Sequence, residues 1–195
     1  WIFDMDGTIT IPMHDFEQIK QELGIHPTQP LLESILQLKG IERKQALSRL
    51  EAWEEEIAWR AAPSPDAVRI LEHLEKRKSK LGILTRNTKR LAGITLEAAG
   101  LSRFFHPSVV LGRECADPKP SPAGVQAIIR TLGSQPSRTV MVGDYIHDVE
   151  AGHAAGCMTI LVRRKPMDTH RRAVAYSTYV VDSLDELWSV EGLLS

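Results

Sequence analysis

The chain opens Trp1-Ile-Phe-Asp-Met-Asp-Gly-Thr8, an apolar pair that runs straight into an Asp-x-Asp-Gly step. Ile2-Phe3 reads as the end of a buried strand. Carboxylates just beyond a strand end matter because open parallel sheets form their ligand crevices outside the carboxyl ends of the strands. The same pattern recurs along the chain. Leu81-Gly-Ile-Leu84 is a short apolar strand that ends in Thr85, and Thr139-Val-Met-Val142 runs through Gly143 into Asp144. Val109-Val-Leu111, Met158-Thr-Ile-Leu-Val162 and Tyr179-Val-Val181 complete the set.

Helical patterns separate these runs. One carries Val68, Leu71 and Leu74 behind a cap at Ser64 or Asp66; others span 88–99, 121–132 and 147–155 and stop at Gly100, Gly133 and Gly156. Leu184-Asp-Glu-Leu-Trp188 reads as a last helix, and Arg163-Arg-Lys165 as a solvated turn. Strands alternating with helices of this length specify βαβ units, hence an α/β fold with a parallel sheet.

Between the first strand and the next, that rhythm is interrupted. Residues 14–24 place Phe16, Ile19 and Leu23 at helical spacing and stop at Gly24. Residues 29–39 place Leu31, Leu32, Ile35, Leu36 and Leu38 similarly and stop at Gly40. Residues 42–62 carry Ala46, Leu47, Leu50, Trp53, Ile57 and Ala61, with an acidic stretch at Glu54-Glu55-Glu56, until Pro63-Ser64-Pro65 breaks the run. The expected organisation is a core of 1–12 and 63–195 and a small helical unit, 13–62, over one end of the sheet.

Bulk composition narrows the function classes. Lys plus Arg (24) nearly balances Asp plus Glu (25), so no basic field is present to make nucleic acid a main partner. No apolar run approaches the length of a membrane helix. Cys115 and Cys157 do not make a disulfide framework and are expected as free thiols in a reducing, cytoplasmic setting. The first residues show no basic region leading into an apolar one, as a signal peptide would. The chain begins at Trp1 and not at a methionine, so native residues ahead of it are expected.

The polar groups at the strand ends suit phosphoryl transfer. Asp4 can act as a carboxylate nucleophile that splits one hard displacement into two easier ones. Asp6 can protonate the leaving oxygen and then activate water, and Gly7 permits a tight backbone conformation between them and Thr8. Thr85 can donate to a phosphate oxygen. Lys119, between Pro118 and Pro120, can neutralise phosphate and nucleophile. Asp144 and Asp148 can hold Mg2+, which prefers a few carboxylates plus waters and phosphate oxygens. Each residue alone has an ordinary explanation: a capped turn, a helix cap at Thr85, a surface Lys119, a first-turn Asp148 favoured by the helix dipole. Their joint occurrence in this order does not.

These segments resemble the four motifs of the haloacid dehalogenase superfamily, on its phosphatase branch: Asp4-Met-Asp6-Gly-Thr8, then Thr85, then Lys119 in Lys119-Pro-Ser-Pro122, then Gly143-Asp144-Tyr-Ile-His-Asp148. The resemblance implies a Rossmann-like core with a helical cap at 13–62, as in subfamily I and similar to phosphoglycolate phosphatases and β-phosphoglucomutases. It implies that Asp4 is nucleophile and magnesium ligand and that Asp6 is general acid/base and a ligand through its carbonyl. Asp144 becomes a further ligand, Asp148 a ligand or a supporting carboxylate, and Thr85 with the following amide the phosphate seat. Asp6 separates the chain from the dehalogenases, which lack it.

Two features depart from the pattern. The cap is short, and Thr85 is followed by Arg86-Asn87 where many relatives carry Asn or Gly. Arg86 either meets a second anionic group on the substrate or faces solvent. Substrate contacts are expected from Gly7, Thr85, Arg86, Asn87 and Lys119, and from His14 and Arg60 near the hinges; Trp53, on the apolar stripe with Leu50 and Ile57, is expected in the cap's own packing. The expected activity is hydrolysis of a small phosphorylated metabolite such as phosphoglycolate or a sugar phosphate. The alternatives are a phosphomutase, which needs a cap that excludes water, and a non-catalytic protein on the same fold, which would have lost Asp4, Asp6 or Lys119.

Overall fold

The computed structural model describes residues 1–163 and 170–190, and for residues 170 and 171 the backbone alone. Among them, Ile2–Phe3 (β1), Gly82–Leu84 (β2), Val110–Leu111 (β3), Val140–Gly143 (β4), Met158–Val162 (β5) and Tyr179–Val181 (β6) form one sheet in the order β3-β2-β1-β4-β5-β6, parallel throughout. The helices are Phe16–Glu22 (α1), Leu31–Gln37 (α2), Gly40–Ala58 (α3), Ala67–Lys76 (α4), Lys89–Ala98 (α5), Ala123–Leu132 (α6), Ile146–Ala154 (α7) and His170–Ala175 (α8).

Neighbouring strand residues bury opposite faces, because side chains alternate across a strand. Phe3, Ile83 and Val142 pack with Ile70, Leu71 and Leu74 of α4 and Leu96 of α5. Ile2, Leu84 and Met141 pack with Val125 and Ile128 of α6 and Ala151 of α7. Both faces are covered, which is why the strands are unbroken apolar runs. The strand order departs in opposite directions from β1 and β4, so the crevice of this Rossmann-like sheet opens where Asp4 and Asp144 leave their strands.

The segment 13–62 folds as α1 to α3 around its own small core of Ile19, Leu32, Ile35, Ala46 and Leu50, with Trp53 packed against it. Its two connections lie side by side. Thr10 bridges Pro63, and the Ile11 amide donates to the Ala62 carbonyl at 3.0 Å. Ser64 ties the junction to the first strand loop: its amide donates to the Ile9 carbonyl and its hydroxyl to the Thr8 carbonyl.

Several boundaries differ from the sequence reading. Gly40 does not close the second helix; α2 stops at Gln37 and Gly40, with φ of +54°, opens α3. Residues 60–62 leave the helix to run beside residue 11. Phe16 stands 53% exposed and stacks on His14. Leu184–Ser189 is a 3-10 helix that buries Leu184 and Leu187, and α8 had no counterpart in the apolar pattern. Arg163 pairs with Asp182 at 2.7 Å, while the other two residues of that basic run lie outside the described residues. Cys115 is exposed, Cys157 buried, and neither is bridged. No helix among the described residues is long and apolar enough to cross a membrane.

Candidate active site

A cleft of about 350 Å³ lies between the carboxyl ends of the strands and the helical insert. Asp4 sits at its floor. Its amide still follows the strand, donating to the Val142 carbonyl at 2.8 Å, so the pairing of β1 with β4 fixes where the carboxylate emerges. The next residues turn back sharply: the Ile9 and Thr10 amides both donate to the Met5 carbonyl, with Gly7 at φ +83°. A Cβ on Gly7 would lie 2.4 Å from Asp144 Oδ2, so the glycine also lets the two motifs close on one another.

Lys119 is the hub of the floor. Its ammonium lies 2.6 Å from Asp4 Oδ1 and 2.6 Å from Asp148 Oδ1, and it donates to the Leu84 carbonyl at 2.8 Å. Asp148 is held from its other side, accepting from the Tyr145 amide through Oδ2 at the start of α7. The first-turn role and the site role thus belong to one carboxylate. Asp144 accepts from the Thr8 hydroxyl at 3.3 Å. Ligand oxygens of Asp4, Asp144 and Asp148 all fall within 4.8 Å of one another.

That crowding of carboxylates shows in their proton affinity. Burial, reinforced by Asp148, pushes the Asp4 carboxyl up to about 7 against the pull of Lys119. Burial and the neighbouring Asp4 and Asp148 raise Asp144 well above the usual carboxylate range. Burial opposes the charge of Lys119, yet Asp148 and Asp4 hold it protonated with a raised pKa. One ammonium does not balance this set. A divalent cation fits the remaining demand, both in donor chemistry and in the spacing of the three oxygens.

Asp6 stands beside the floor. Asn87 Nδ2 donates to its Oδ2 at 2.9 Å, and burial lifts its carboxyl to about 6. His14, whose side chain is only 6% exposed, approaches Asp6 with Nδ1 at 3.9 Å; burial lowers it to about 4, so it is a neutral neighbour and no ion pair forms. Thr85 is buried, and its hydroxyl accepts from the Asn87 amide, leaving its own proton free to donate into the cleft. The helix cap is provided by Thr88 and not by Thr85: the Thr88 hydroxyl accepts from the Leu91 amide.

Most of the expected residues therefore converge. Asp4, Asp6, His14, Thr85, Arg86, Asn87, Lys119, Asp144 and Asp148 line the cleft, and Gly7 abuts Asp144. Arg60 is exposed, donates from Nε to the Glu56 carbonyl, and is not among the lining residues. A hinge position in sequence does not fix which way a helix-terminal side chain turns. The Arg86 guanidinium reaches Glu33 on α2 at 2.5 Å and His147 on α7 at 2.6 Å.

Glu33, Glu54, Arg113, Tyr145 and His147 also line the cleft and were not foreseen. Glu54 did leave a signal. It lies four residues after Leu50 and three before Ile57, inside the apolar stripe of α3, where a carboxylate needs a buried partner. That partner is Arg113, at 2.7 and 2.8 Å, from the loop after β3. Glu55, next in the acidic stretch, instead pairs outside with Arg90.

A parallel sheet of this order, with a buried lysine and three carboxylates gathered at its switch point, is suited to phosphoryl transfer. Comparison with known proteins agrees: the model of the haloacid dehalogenase-like hydrolase family matches residues 1–162, and the chain belongs to that family. It is 26% identical to pyrophosphatase PpaX of Oceanobacillus iheyensis over 98% of this chain and 95% of that protein. It is 29% identical to a phosphoglycolate phosphatase of Aquifex aeolicus, covering 82% of each. Among solved structures, a hydrolase from Pseudomonas syringae superposes with a TM-score of 0.81 over 100% of this chain and 98% of that one, at 21% identity. A HAD phosphatase from Thermococcus onnurineus gives 0.71 over 98% and 97%, at 25% identity. With relatives of this kind, the chain is an enzyme of the phosphatase type.

Proposed function

We propose that this enzyme hydrolyses a small phosphate monoester, with Mg2+ as cofactor and an aspartyl-phosphate on Asp4 as intermediate. The observation that carries the reading is the triple contact of Lys119 with Asp4, Asp148 and the Leu84 carbonyl, at the crevice of the sheet. It holds one oxygen of Asp4 still and leaves the other for attack.

In the first step Asp4 forms a bond to phosphorus as the bond to the leaving oxygen breaks, and Asp6 gives that oxygen its proton. A carboxyl lifted to about 6 holds a proton near neutrality far better than an ordinary one. In the second step Asp6 takes a proton from water, the water oxygen bonds to phosphorus, and Asp4 departs as a free carboxylate. Thr85 with the amide after it, and Lys119, hold the phosphate oxygens; Asn87 keeps Asp6 oriented. Asp4, Asp144 and the Asp6 carbonyl would hold Mg2+, with Asp148 beside them. When bound, the cation supplies charge neutralisation on the phosphate and on the acidic floor.

A cleft of about 350 Å³ suits a small leaving group. The names of the relatives, pyrophosphatase and phosphoglycolate phosphatase, support a substrate of that size. The test is Asp4→Asn, which keeps the shape and removes the nucleophile. It is expected to abolish Mg2+-dependent phosphate release from an aryl phosphate while the circular dichroism and melting transition persist. Turnover retained in that variant would reassign the nucleophile.

A further inference from the structure

Arg86 is the residue at which the phosphate seat, the sheet and the helical insert meet. It follows Thr85 directly, so the amide assigned above to the phosphate is its own. Its guanidinium donates to Glu33 Oε1 on α2 at 2.5 Å and to His147 Nδ1 on α7 at 2.6 Å. Its carbonyl accepts from Arg113 at 3.2 Å, and the same Arg113 nitrogen grips Glu54 of α3 at 2.7 Å. One residue thus reaches both long walls of the insert, through its side chain to α2 and through its carbonyl and Arg113 to α3.

The two links differ in strength. The Glu54–Arg113 pair is buried, at 7% and 10% exposure, and breaking it strands a charge. The Glu33–Arg86 pair is half-open, at 36% and 27%, so it can form and release at modest cost. The second oxygen of Glu33 is buried without a hydrogen-bond partner, so the closed arrangement leaves one acceptor unsatisfied. Such a contact is a latch and not a weld.

We propose that Arg86 is a positioning residue that couples occupation of the phosphate seat to closure of the helical insert, with Glu33 as its catch and the Arg113–Glu54 pair as the fixed hinge side. Phosphate bound at Thr85 and Lys119 steadies the Arg86 backbone, Arg86 holds α2 down, and the leaving group is enclosed while the chemistry proceeds. The inference rests on the phosphatase reading for the place where phosphate sits.

The experiment is hydrogen exchange on the full chain with Mg2+, with and without inorganic phosphate. In the wild type, phosphate is expected to slow exchange at the amides of Ile11, Met13, Arg60, Ala61, Ala62 and α2 by roughly fivefold, a typical coupling between two sites. In Arg86→Ala and in Glu33→Gln, phosphate should still bind, as a phosphorus resonance shift, but the slowing should vanish. The double variant should behave like either single one, and Arg86→Lys should recover part of the response. Glu33→Gln, a change of one atom at the insert's edge, carries the test if Arg86→Ala folds poorly. Equal slowing by phosphate in all variants overturns the coupling alone. Failure of phosphate to bind the wild type overturns the phosphatase reading and the coupling with it.

Discussion

Gly143 has no room for a side chain. A Cβ there would stand 2.3 Å from both Cβ and Cγ of Asp148, the carboxylate that steadies Lys119. Gly143→Ala should therefore act through Asp148, moving it off Lys119 and with it the restraint on Asp4. The expected result is a fall in the rate of phosphate release of about tenfold or more, with a stability loss of about 2 kcal/mol in urea unfolding. Wild-type rates in that variant would show that Asp148 has slack. At this scale Asp4 and Asp144 were legible in the sequence, because each follows an apolar strand whose end projects its polar neighbours into the crevice, and Asp6 and Asp148 because they lie in the same two motifs. Their division of labour was not. Whether Asp148 serves a cation or an ammonium depends on Lys119, 29 positions away in sequence and 2.6 Å away in space. The partners of Arg86 were hidden for the same reason: Glu33 and His147 come from helices whose arrangement no local pattern encodes.

Among the elements, α3 is held to the sheet by the Glu54–Arg113 pair. Burial raises Glu54 to about 7 even with Arg113 beside it. Arg113→Ala would leave that carboxylate buried alone, and the expected destabilisation at pH 8 is about 3 kcal/mol. The sign of the pH dependence follows from linkage. A carboxyl whose folded pKa lies above its unfolded value favours the folded state when protonated, and losing Arg113 raises Glu54 further, so the penalty of Arg113→Ala should shrink as pH falls toward about 7 and level off below it. Denaturant melts of wild type and variant at pH 8 and about pH 5.5 would check this, and a penalty independent of pH would mean that Glu54 finds another partner. Strands and most helices of the core were readable because both faces of the sheet are apolar and glycines close the helices. Gly40 misled because a left-handed glycine serves equally to end one helix or to launch the next. The 3-10 geometry at Leu184–Ser189 was hidden because two buried leucines three apart satisfy either helix type.

For the whole molecule, the acidic floor ties stability to pH. Asp4, Asp6 and Glu54 all carry folded pKa values raised by burial, to about 7, 6 and 7. Between their ordinary values near 4 and these raised ones, these groups make the folded chain bind more protons than the unfolded chain, against a smaller opposite effect of His14 and His147, both lowered by burial. Stability of the metal-free protein should therefore fall as pH rises from about 4.5 to about 7.5. Mg2+ held as proposed would neutralise the floor of the folded state, so it should raise the melting temperature most at the upper end of that range. Calorimetry with chelator and with Mg2+ tests this; a metal-free melting temperature that climbs with pH would contradict the charge balance described for the floor.

The side-by-side entry and exit of the insert, with Thr10 bridged to Pro63 and Ile11 bonded to Ala62, has a consequence for variation. Whatever lies between those paired residues starts and finishes at the same spot, so the sheet experiences it as a tight turn. The entropy of closing such a loop grows only with the logarithm of its length. Residues may then be added to or lost from the helical segment without shifting the register of any strand. The helical insert is free to drift while the strand ends keep their places.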